Sequence, residues 1–525
     1  MKHLLKSLPG ALLAVALGAC GGGGSTGDVA PVVATDNGFV QGATEAQVYS
    51  YISIPYAAPP VGDLRWKAPA PAAAWSDLRN ANTQASSCPQ AATPFGVAST
   101  NEDCLYLSVH TPKGAGPFPV MVWIHGGAFV TGDSSVAGFY DPSKLVPKGV
   151  ILVTVNYRLG ALGFLAHPEL SAEQGGSSGN YGLMDQQAAL RWVKTNIANF
   201  RGDPANVTLF GESAGGYSVL AQVASPLAAG LFHKAIVQSG AYGLASTPSL
   251  ASAHTGNPTL KRYTGTTFGT RAACTDQSLA CLRGLTVAQI LAAQAGGDIG
   301  PNIDNKVLKS TLATSFATGD FNRVPVVQGT NTDEYTLLSA SRLDLTGNPI
   351  TDANYMTLIN PSALGKTVDQ INAQYPRANY LVASDVYDAV YTDAGLACPG
   401  RAAAQLLSTR VPTYSYEFND RNAPMYLLPP ATRARWGAYH AAELQYLFPT
   451  APASVTYTAD QETLKTQMVN YWTQFAKTSN PNGTGPTWPQ YTVATDTFMS
   501  LNPGTSAVST DFSSRHKCAG FWTAS

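Results

Sequence analysis

Three Gly-x-Ser-x-Gly segments place a serine between small residues, a pattern that suits a serine nucleophile. They are centred on Ser25, Ser177 and Ser213. Only the segment at Ser213 follows a predicted strand, Val207–Phe210, and opens a predicted helix from about Ala214. A serine at such a turn lies at a helix N-terminus, where backbone N–H groups stabilise a developing negative charge. The sequence therefore predicts Ser213 as a nucleophile; the alternative is a capping serine in a glycine-rich turn.

A second glycine-rich turn offers hydrogen-bond donors for the same chemistry. The predicted strand Val120–Ile124 runs into His125-Gly126-Gly127-Ala128-Phe129. Glycine allows backbone N–H groups to approach a ligand closely. We therefore predict Gly126 and Gly127, with the N–H of Ala214, as donors to the oxyanion of an acyl-transfer intermediate. The alternative is a strand exit whose glycines only make a turn.

A serine nucleophile needs a base, and two histidines follow both Ser213 and any suitable acid along the chain. His440 lies in a predicted loop-to-helix segment after the strand Pro412–Phe418, whereas His516 lies in the tail, two residues before Cys518. We predict His440 as the general base that takes the serine proton and returns it to the leaving alcohol. Without the other motifs, a surface or structural histidine would be the default interpretation.

The acid is expected after a strand and before His440. The predicted strand Val324–Gln328 is followed by Gly329-Thr330-Asn331-Thr332-Asp333-Glu334. Either Asp333 or Glu334 can orient an imidazole and stabilise its charged form, and spacing alone does not choose between them. The alternative is a solvated acidic turn.

The elements that position these residues alternate between strands and helices, which predicts an α/β fold with a large, mostly parallel, twisted central sheet and helices on both faces. A helix is predicted over Leu183–Phe200, and Tyr471–Lys477 is predicted as part of a late helix before a polar C-terminal tail. The stretch from about 240 to 320 lacks clear strands and is predicted to be a helical insertion. The predicted strands are Val120–Ile124, Val150–Tyr157, Val207–Phe210, Ala235–Gln238, Val324–Gln328 and Pro412–Phe418.

Composition narrows the classes of function. The chain has 525 residues, of which 45% are hydrophobic and 12% charged, so it can bury a large core and is not disordered. Its 32 Lys and Arg against 33 Asp and Glu give a net charge of −1, which disfavours nucleic acid as a partner. Neither a Cys-x-x-Cys nor a Cys-x-x-x-His grouping occurs, so the sequence does not indicate a zinc site.

The N-terminus is predicted to be a targeting signal. Lys2 and Lys6 precede the apolar run Leu8–Ala19, which is too short to span a bilayer. Leu17-Gly18-Ala19-Cys20 resembles a bacterial lipobox, which implies cleavage before Cys20 and a lipid on its thiol; the alternative is an ordinary secretory signal. We expect a signal peptide over residues 1–19, a lipidated cysteine and Gly-rich tether over 20–32, and a single catalytic domain over 33–525.

This organisation predicts an exported protein, anchored at the outer membrane or in the periplasm, or secreted if it is not lipidated. The lipid would be the only membrane contact, because no second apolar stretch is long enough to span a bilayer. Without Cys20 six cysteines remain, and an even number in an exported chain indicates disulfides. Spacing favours two local pairs and leaves the third by default, although six cysteines permit fifteen pairings. The pairs are Cys88 with Cys104, Cys274 with Cys281, and Cys398 with Cys518.

Taken together, these motifs resemble the type-B carboxylesterase family, the cholinesterase-like branch of the α/β-hydrolases, over roughly residues 33–525. The segments that carry the resemblance are Ile54–Gly62 with Leu64–Trp66, Glu102–Leu107, Asn156–Gly160, Gly179–Gln186 and Phe210–Gly216. The resemblance implies an α/β-hydrolase fold with helical insertions near the active site, and a serine carboxylesterase without metal or organic cofactor that acts on a small-molecule ester.

The resemblance also assigns residues. It implies Glu334 rather than Asp333 as the acid, and it supports Gly126, Gly127 and Ala214 as oxyanion donors. Glu212 and Ser239 align with polar residues that support the site in relatives. It supports the two local disulfides and is consistent with the third.

One departure bears on the substrate. In choline-specific relatives the first disulfide closes a long loop that carries the tryptophan for the quaternary ammonium, whereas the segment from Cys88 to Cys104 is short and contains no tryptophan. The chain therefore resembles a general carboxylesterase. A lipase, a hydrolase of polyesters or complex esters, and a non-catalytic binding protein remain alternatives, and the oligomeric state is not predicted.

Overall fold

The structure is a computed structural model that describes residues 30–134, 139–259, 261–433, 435–450, 452 and 454–522. The predicted signal peptide, Cys20 and all of the tether except residues 30–32 lie outside these ranges, so anchoring stays a prediction. No helix within the described ranges combines the length and the apolar character needed to cross a bilayer.

The described residues form fourteen strands in two sheets. The strands are β1 (Val32–Thr35), β2 (Gly38–Gln41), β3 (Ala43–Glu45), β4 (Val48–Pro55), β5 (Arg79–Asn80), β6 (Tyr106–Pro112), β7 (Phe118–Ile124), β8 (Ile151–Val155), β9 (Gly202–Glu212), β10 (Lys234–Gln238), β11 (Val326–Asn331), β12 (Thr413–Phe418), β13 (Phe498–Leu501) and β14 (Ala507–Ser509).

The larger sheet has eleven strands in the order β14-β13-β12-β11-β10-β9-β7-β8-β6-β4-β3. Its centre, from β13 to β8, is parallel, and antiparallel strands flank it on both sides. The predicted large, mostly parallel sheet is therefore confirmed. Strands β1, β2 and β5 form a small separate sheet.

Seventeen α-helices connect and cover the strands among the described residues. They are α1 (Gly160–Phe164), α2 (Pro168–Glu173), α3 (Tyr181–Asn196), α4 (Ala214–Ala224), α5 (Leu250–Thr255), α6 (Gly265–Arg271), α7 (Leu279–Gly284), α8 (Val287–Gln294), α9 (Leu312–Thr318), α10 (Tyr335–Arg342), α11 (Tyr355–Ile359), α12 (Val368–Gln374), α13 (Ala383–Thr392), α14 (Cys398–Ser408), α15 (Leu444–Leu447), α16 (Ala459–Thr478) and α17 (Phe512–Arg515). A π-helical turn, Asp393–Ala397, joins α13 to α14.

Strand β7 shows how the sheet separates two cores. Val120, Val122 and Ile124 belong to one buried cluster, which includes residues of α3 and α4. Met121 and Trp123, on the opposite face, belong to a second cluster that includes residues of α16. Because side chains alternate along a strand, an uninterrupted apolar run buries both faces, and helices cover both faces as predicted.

The insertion between about 240 and 320 is helical, as predicted, and contains α5 to α9. The bounds of one predicted strand are wrong. The strand expected over Val324–Gln328 runs over Val326–Asn331 because its last residues pair with β12. The polar tail, for which no strand was predicted, contains two: β13 joins the sheet, and β14 pairs with it.

All three predicted disulfides are present in the structure. Sulfur atoms are 1.97 Å apart between Cys88 and Cys104, 2.07 Å between Cys274 and Cys281, and 2.04 Å between Cys398 and Cys518. The third bridge joins the start of α14 to the C-terminal segment across 120 residues. It therefore helps to hold the last residues against the sheet.

Candidate active site

Ser213 lies at the turn between β9 and α4, the strand-to-helix setting that the sequence predicts. Its backbone has φ 56° and ψ −121°, a conformation that side chains disfavour and that costs about 1–3 kcal/mol. A Cβ on Gly215 would lie 1.9 Å from the carbonyl oxygen of Ile124, so only glycine fits where α4 meets β7. The Ser213 N–H donates to the carbonyl of Gln238 at 2.9 Å, which ties the turn to β10.

Glu334 and His440 form a buried hydrogen-bonded pair. Oε2 of Glu334 accepts a hydrogen bond from Nδ1 of His440 at 2.6 Å. Its Oε1 accepts from Ser239 Oγ at 2.6 Å, Thr330 Oγ1 at 2.8 Å and the Asn331 N–H at 2.7 Å. These donors fix the carboxylate, which in turn holds the imidazole proton on Nδ1 and leaves Nε2 as the basic atom.

The alternative acid and base lie outside this arrangement. Asp333 pairs with Arg421, whose Nε is 3.1 Å from the carboxylate. His516 is buried, with Nδ1 2.5 Å from Asp393 and Nε2 2.7 Å from Glu417. These contacts anchor the C-terminal segment, and neither Asp333 nor His516 lines a cavity with the nucleophile.

Ser213 and His440 both line the walls of two adjoining cavities. Nε2 of His440 lies 3.1 Å from Oε1 of Glu212, the residue before the serine. No hydrogen bond between described residues joins Ser213 Oγ to this nitrogen. Catalytic hydrogen bonds commonly shorten only when substrate binds, so the shared cavity wall, rather than a direct contact, unites these two residues.

His125 orients the loop after β7. Its Nδ1 donates to the carbonyl of Gly126 at 2.9 Å, and its ring stacks on Tyr157 with centroids 4.5 Å apart. Carbonyl and N–H groups of a trans peptide point in opposite directions. The Gly127 N–H is therefore turned away from His125.

Three successive N–H groups of this loop, at Gly126, Gly127 and Ala128, donate to no other described residue. A Cβ on Gly126 would lie 3.1 Å from the Ser213 Cβ, so the loop packs against the nucleophile. Ala128 lines both cavities. It was not predicted as an oxyanion donor, because the sequence argument considered only the glycines of this motif. The N–H of Ala214, in the first turn of α4, has no intrahelical acceptor.

The charges of the site act on one another. Burial lowers the pKa of His440, but the carboxylates of Glu212 and Glu334 outweigh burial and raise it above its ordinary value. Burial opposes ionisation of Glu334, but His440 and the surrounding donors keep the pKa of Glu334 below its ordinary value. Burial raises the pKa of Glu212. The site therefore favours an imidazolium beside an ionised Glu334, the charge pair that proton abstraction from a serine creates.

A second buried layer beneath the pair was not predicted. Glu443 accepts from Asn331 Nδ2 at 2.6 Å and from Gln238 Nε2 at 3.1 Å. Gln238 in turn accepts from Trp472 Nε1 at 3.0 Å. This network joins the ends of β10 and β11 to α16 and to the segment that carries His440. The only sign of this network in the sequence is Glu443, which follows His440 by three residues in a helical turn.

The two cavities differ in character. The larger, of about 390 Å³, lies among the helical insertion, α10 and the π-helical turn. The smaller, of about 180 Å³, is lined mainly by apolar and aromatic side chains, including Phe95, Phe139, Leu427 and Leu444. Within the described ranges, no cluster of His, Cys, Asp or Glu side chains suits a metal ion.

Glu212→Gln is expected to move the acid limb of the kcat/KM profile to lower pH by about one pH unit, because it removes one of the three carboxylates, Glu212, Glu334 and Glu443, that raise the pKa of His440. A lower pKa leaves more neutral imidazole at acidic pH, so the relative rate there rises. The measurement is ester hydrolysis from pH 5 to 10. A limb that stays in place or moves to higher pH would contradict the charge coupling.

Comparisons with known proteins agree with this geometry. A sequence profile described as the carboxylesterase family matches residues 29–522. The para-nitrobenzyl esterase of Bacillus subtilis (strain 168) is 35% identical over 483 residues, which cover 88% of this chain and 92% of that protein. The cocaine esterase of Homo sapiens is 33% identical over 506 residues, which cover 88% of this chain and 86% of that protein. A solved structure named PNB esterase superposes with a TM-score of 0.77 at 33% identity, over 93% of this chain and 98% of that one.

Proposed function

The chain belongs to the carboxylesterase family and is a carboxylic ester hydrolase, and we propose that it works through an acyl-enzyme on Ser213. The observation that carries this proposal is the 2.6 Å hydrogen bond between Glu334 and His440, beside a serine in the same cavity wall. The strained turn at Ser213 supports it, because strain of this kind persists where the surrounding fold imposes it and is concentrated at functional sites.

In the first half-reaction, Ser213 Oγ attacks the ester carbonyl carbon while His440 Nε2 takes its proton. Glu334 stabilises the resulting imidazolium. The carbonyl oxygen becomes an oxyanion, for which the N–H groups of Gly127, Ala214 and a neighbouring residue of the loop, Gly126 or Ala128, are the donors. Collapse of the tetrahedral intermediate breaks the bond to the alcohol oxygen, and the imidazolium returns the proton to that oxygen.

In the second half-reaction, water replaces the alcohol. His440 takes a proton from water, whose oxygen attacks the acyl carbon, and the bond to Ser213 Oγ breaks as the serine recovers its proton. The products are a carboxylic acid and an alcohol. The two cavities, of about 390 and 180 Å³, have the size of sites for small molecules, which supports a small-molecule ester as substrate.

Labelling with a fluorophosphonate probe tests the nucleophile directly. A reactive serine displaces fluoride and forms a serine–phosphorus bond, so we expect one adduct per chain, on the peptide that contains Ser213. Ser177, in another Gly-x-Ser-x-Gly segment, is the internal control and should stay unlabelled, because its hydroxyl donates to Asp304 at 2.8 Å. An adduct on another peptide of the active protein, or an active protein that the probe does not label, would refute Ser213 as the nucleophile.

We also propose that the mature protein is anchored to a membrane by a lipid on Cys20. The support is the segment Leu17–Cys20 after a short apolar run that follows two lysines. A Gly-rich stretch after Cys20 would then separate the catalytic part of the chain from the membrane surface.

A further inference from the structure

Two guanidinium groups line the larger cavity and have no carboxylate partner among the residues that the structure describes. Arg262, in the helical insertion, is half-buried, and Arg342, at the end of α10, is exposed. The Arg342 side chain contacts Tyr335, whose hydroxyl is 3.5 Å from Nη1. Asp298 lines the same cavity, yet neither arginine forms an ion pair with it or with another described carboxylate.

Several arginines elsewhere in the fold are held by carboxylates, whereas others, such as Arg79 and Arg191, form no ion pair with a described carboxylate and line neither cavity. Arg158 lies 2.7 Å from Asp185, and Arg433 lies 2.7 Å from Asp344. These pairs are structural, since each fixes two elements to one another. The chain has slightly more acidic than basic residues, so the unpaired state of Arg262 and Arg342 does not follow from a shortage of carboxylates. Two donors of this kind on one concave wall are available to a ligand.

Charge favours an anion in this cavity. Beside His440, its formally charged lining residues are Arg262, Arg342 and Asp298, which together carry one positive charge. A guanidinium offers parallel N–H donors that match the two oxygens of a carboxylate. Hydroxyl groups of Tyr335 and other tyrosines in the same wall add polar contacts.

The smaller cavity is more apolar, because aromatic and aliphatic side chains such as Phe139 and Leu444 form most of its wall. Arg342 lines both cavities, and the carboxylate of Glu212 lines only the smaller one, where it disfavours an anion. An ester whose two parts differ in polarity would therefore bind in one orientation across Ser213. Its apolar part would lie in the smaller cavity and its charged part in the larger one.

We propose that the preferred substrates are esters that carry a carboxylate remote from the scissile bond, bound in the larger cavity by Arg262 and Arg342. This inference rests on the proposed function, since it concerns the substrate of the same site. The carboxylate can belong to the acyl part, as in a half-ester of a dicarboxylic acid, or to the alcohol part. Both share one chemistry, and the assay below distinguishes them.

The test is kcat/KM for two matched pairs of esters. The acyl pair is p-nitrophenyl hydrogen glutarate against p-nitrophenyl pentanoate, and the alcohol pair is 4-acetoxybenzoate against 4-methylphenyl acetate. We expect the wild-type protein to prefer the anionic member of one pair, and that pair identifies the part in the larger cavity. Arg262→Gln and Arg342→Gln should each lower kcat/KM for the preferred anion by roughly tenfold. The neutral partner should change by less than about threefold, which also shows that the variants are folded.

Arg191→Gln is the matched control. Arg191 is an exposed arginine of α3 that lines neither cavity, so its loss changes the net charge by the same amount at a different place. It should leave the ratio of anionic to neutral rates unchanged. A preference that survives both cavity variants, or that Arg191→Gln reduces equally, would overturn the proposal, as would equal rates for both members of each pair. Failure of the proposed function looks different: no ester is hydrolysed, or Ser213→Ala hydrolyses them all.

Discussion

Replacing Ser213 by alanine is expected to reduce kcat for an activated ester by a factor on the order of 10⁶, the size seen when a catalytic serine is removed from a hydrolase that uses one. The variant keeps the oxyanion donors and both cavities, but it cannot form an acyl-enzyme. The hydroxyl makes no hydrogen bond to another described residue, so its loss breaks no structural contact. We therefore expect the melting temperature to stay within a few degrees of the wild-type value. The measurement is hydrolysis of p-nitrophenyl acetate together with a thermal melt.

Ser177→Ala provides the matched control for this prediction. Ser177 lies in the same type of motif, and its hydroxyl donates to a buried carboxylate, Asp304, at 2.8 Å. Its removal should cost stability, about 1–3 kcal/mol, and leave kcat within about threefold of wild type. The opposite result, an inactive Ser177→Ala and an active Ser213→Ala, would move the nucleophile to the other motif.

The two serines show what local context predicts. Their motifs are alike, but only one follows a run of β-branched and aromatic residues and precedes a run of small residues that forms a helix. These flanking segments are enough to distinguish Ser213 from Ser177, because the strained turn at Ser213 requires a buried strand on one side and a helix on the other. The reason is steric: position 215 must be glycine because a Cβ there would lie 1.9 Å from the carbonyl oxygen of Ile124 in β7.

The ends of strands, and strands of polar composition, were harder to predict from the sequence than the nucleophile turn. Gly329 follows an apolar run and indicates a turn, yet it lies within β11 and pairs with Tyr416 of β12. The glycine is needed there because the Tyr416 ring occupies the space of a side chain, 1.9 Å from the Cβ position. Similarly, β13 and β14 lie in a segment of polar composition, and pairing with β12, not local propensity, makes them strands.

The sequence favoured His440 over His516 by position alone, because His440 follows a predicted strand and His516 lies in the tail; the contacts that distinguish the two histidines are long-range. His516 has two carboxylates at hydrogen-bond distance, Asp393 and Glu417, and would pass a local search for an activated histidine. Asp393 lies 123 residues and Glu417 lies 99 residues before His516 along the chain, and only the fold brings them together. What distinguishes His440 is that it borders the cavity that Ser213 also borders.

The choice of acid is of the same kind. Asp333 and Glu334 are adjacent in sequence, so their spacing to His440 is nearly identical, and the family resemblance alone favoured the glutamate. The structure separates them by their partners, since Asp333 faces Arg421 and Glu334 faces the imidazole. Replacing Asp333 and Glu334 one at a time therefore tests which carboxylate is the acid that acts with His440.

Glu334→Gln is expected to lower kcat by about 10⁴ while the protein stays folded, the size reported for the corresponding amide substitution in a serine-protease triad. The reason lies in the contact of Oε1, the Glu334 oxygen that does not face His440. Oε1 accepts from the Asn331 N–H at 2.7 Å, a group that can only donate. The amide oxygen of glutamine must take that position, so its NH₂ group faces His440. Nδ1 of the imidazole must then accept, which places the ring proton on Nε2, the atom that has to take the serine proton.

Asp333→Asn is the matched control, because it makes the same chemical change one residue away. Its carboxylate pairs with Arg421, which is largely exposed, and accepts from the Ala438 N–H at 2.9 Å, a bond that the amide oxygen of asparagine can keep. We therefore expect kcat within about threefold of wild type and a loss of stability below about 1 kcal/mol. The measurements are kcat and denaturant unfolding for both variants. Equal losses of kcat in the two variants would mean that a general acidic environment, and not the tautomer of His440, limits the reaction. A large loss confined to Asp333→Asn would assign the acid to Asp333. Only a loss confined to Glu334→Gln agrees with a carboxylate that sets which nitrogen of His440 is basic.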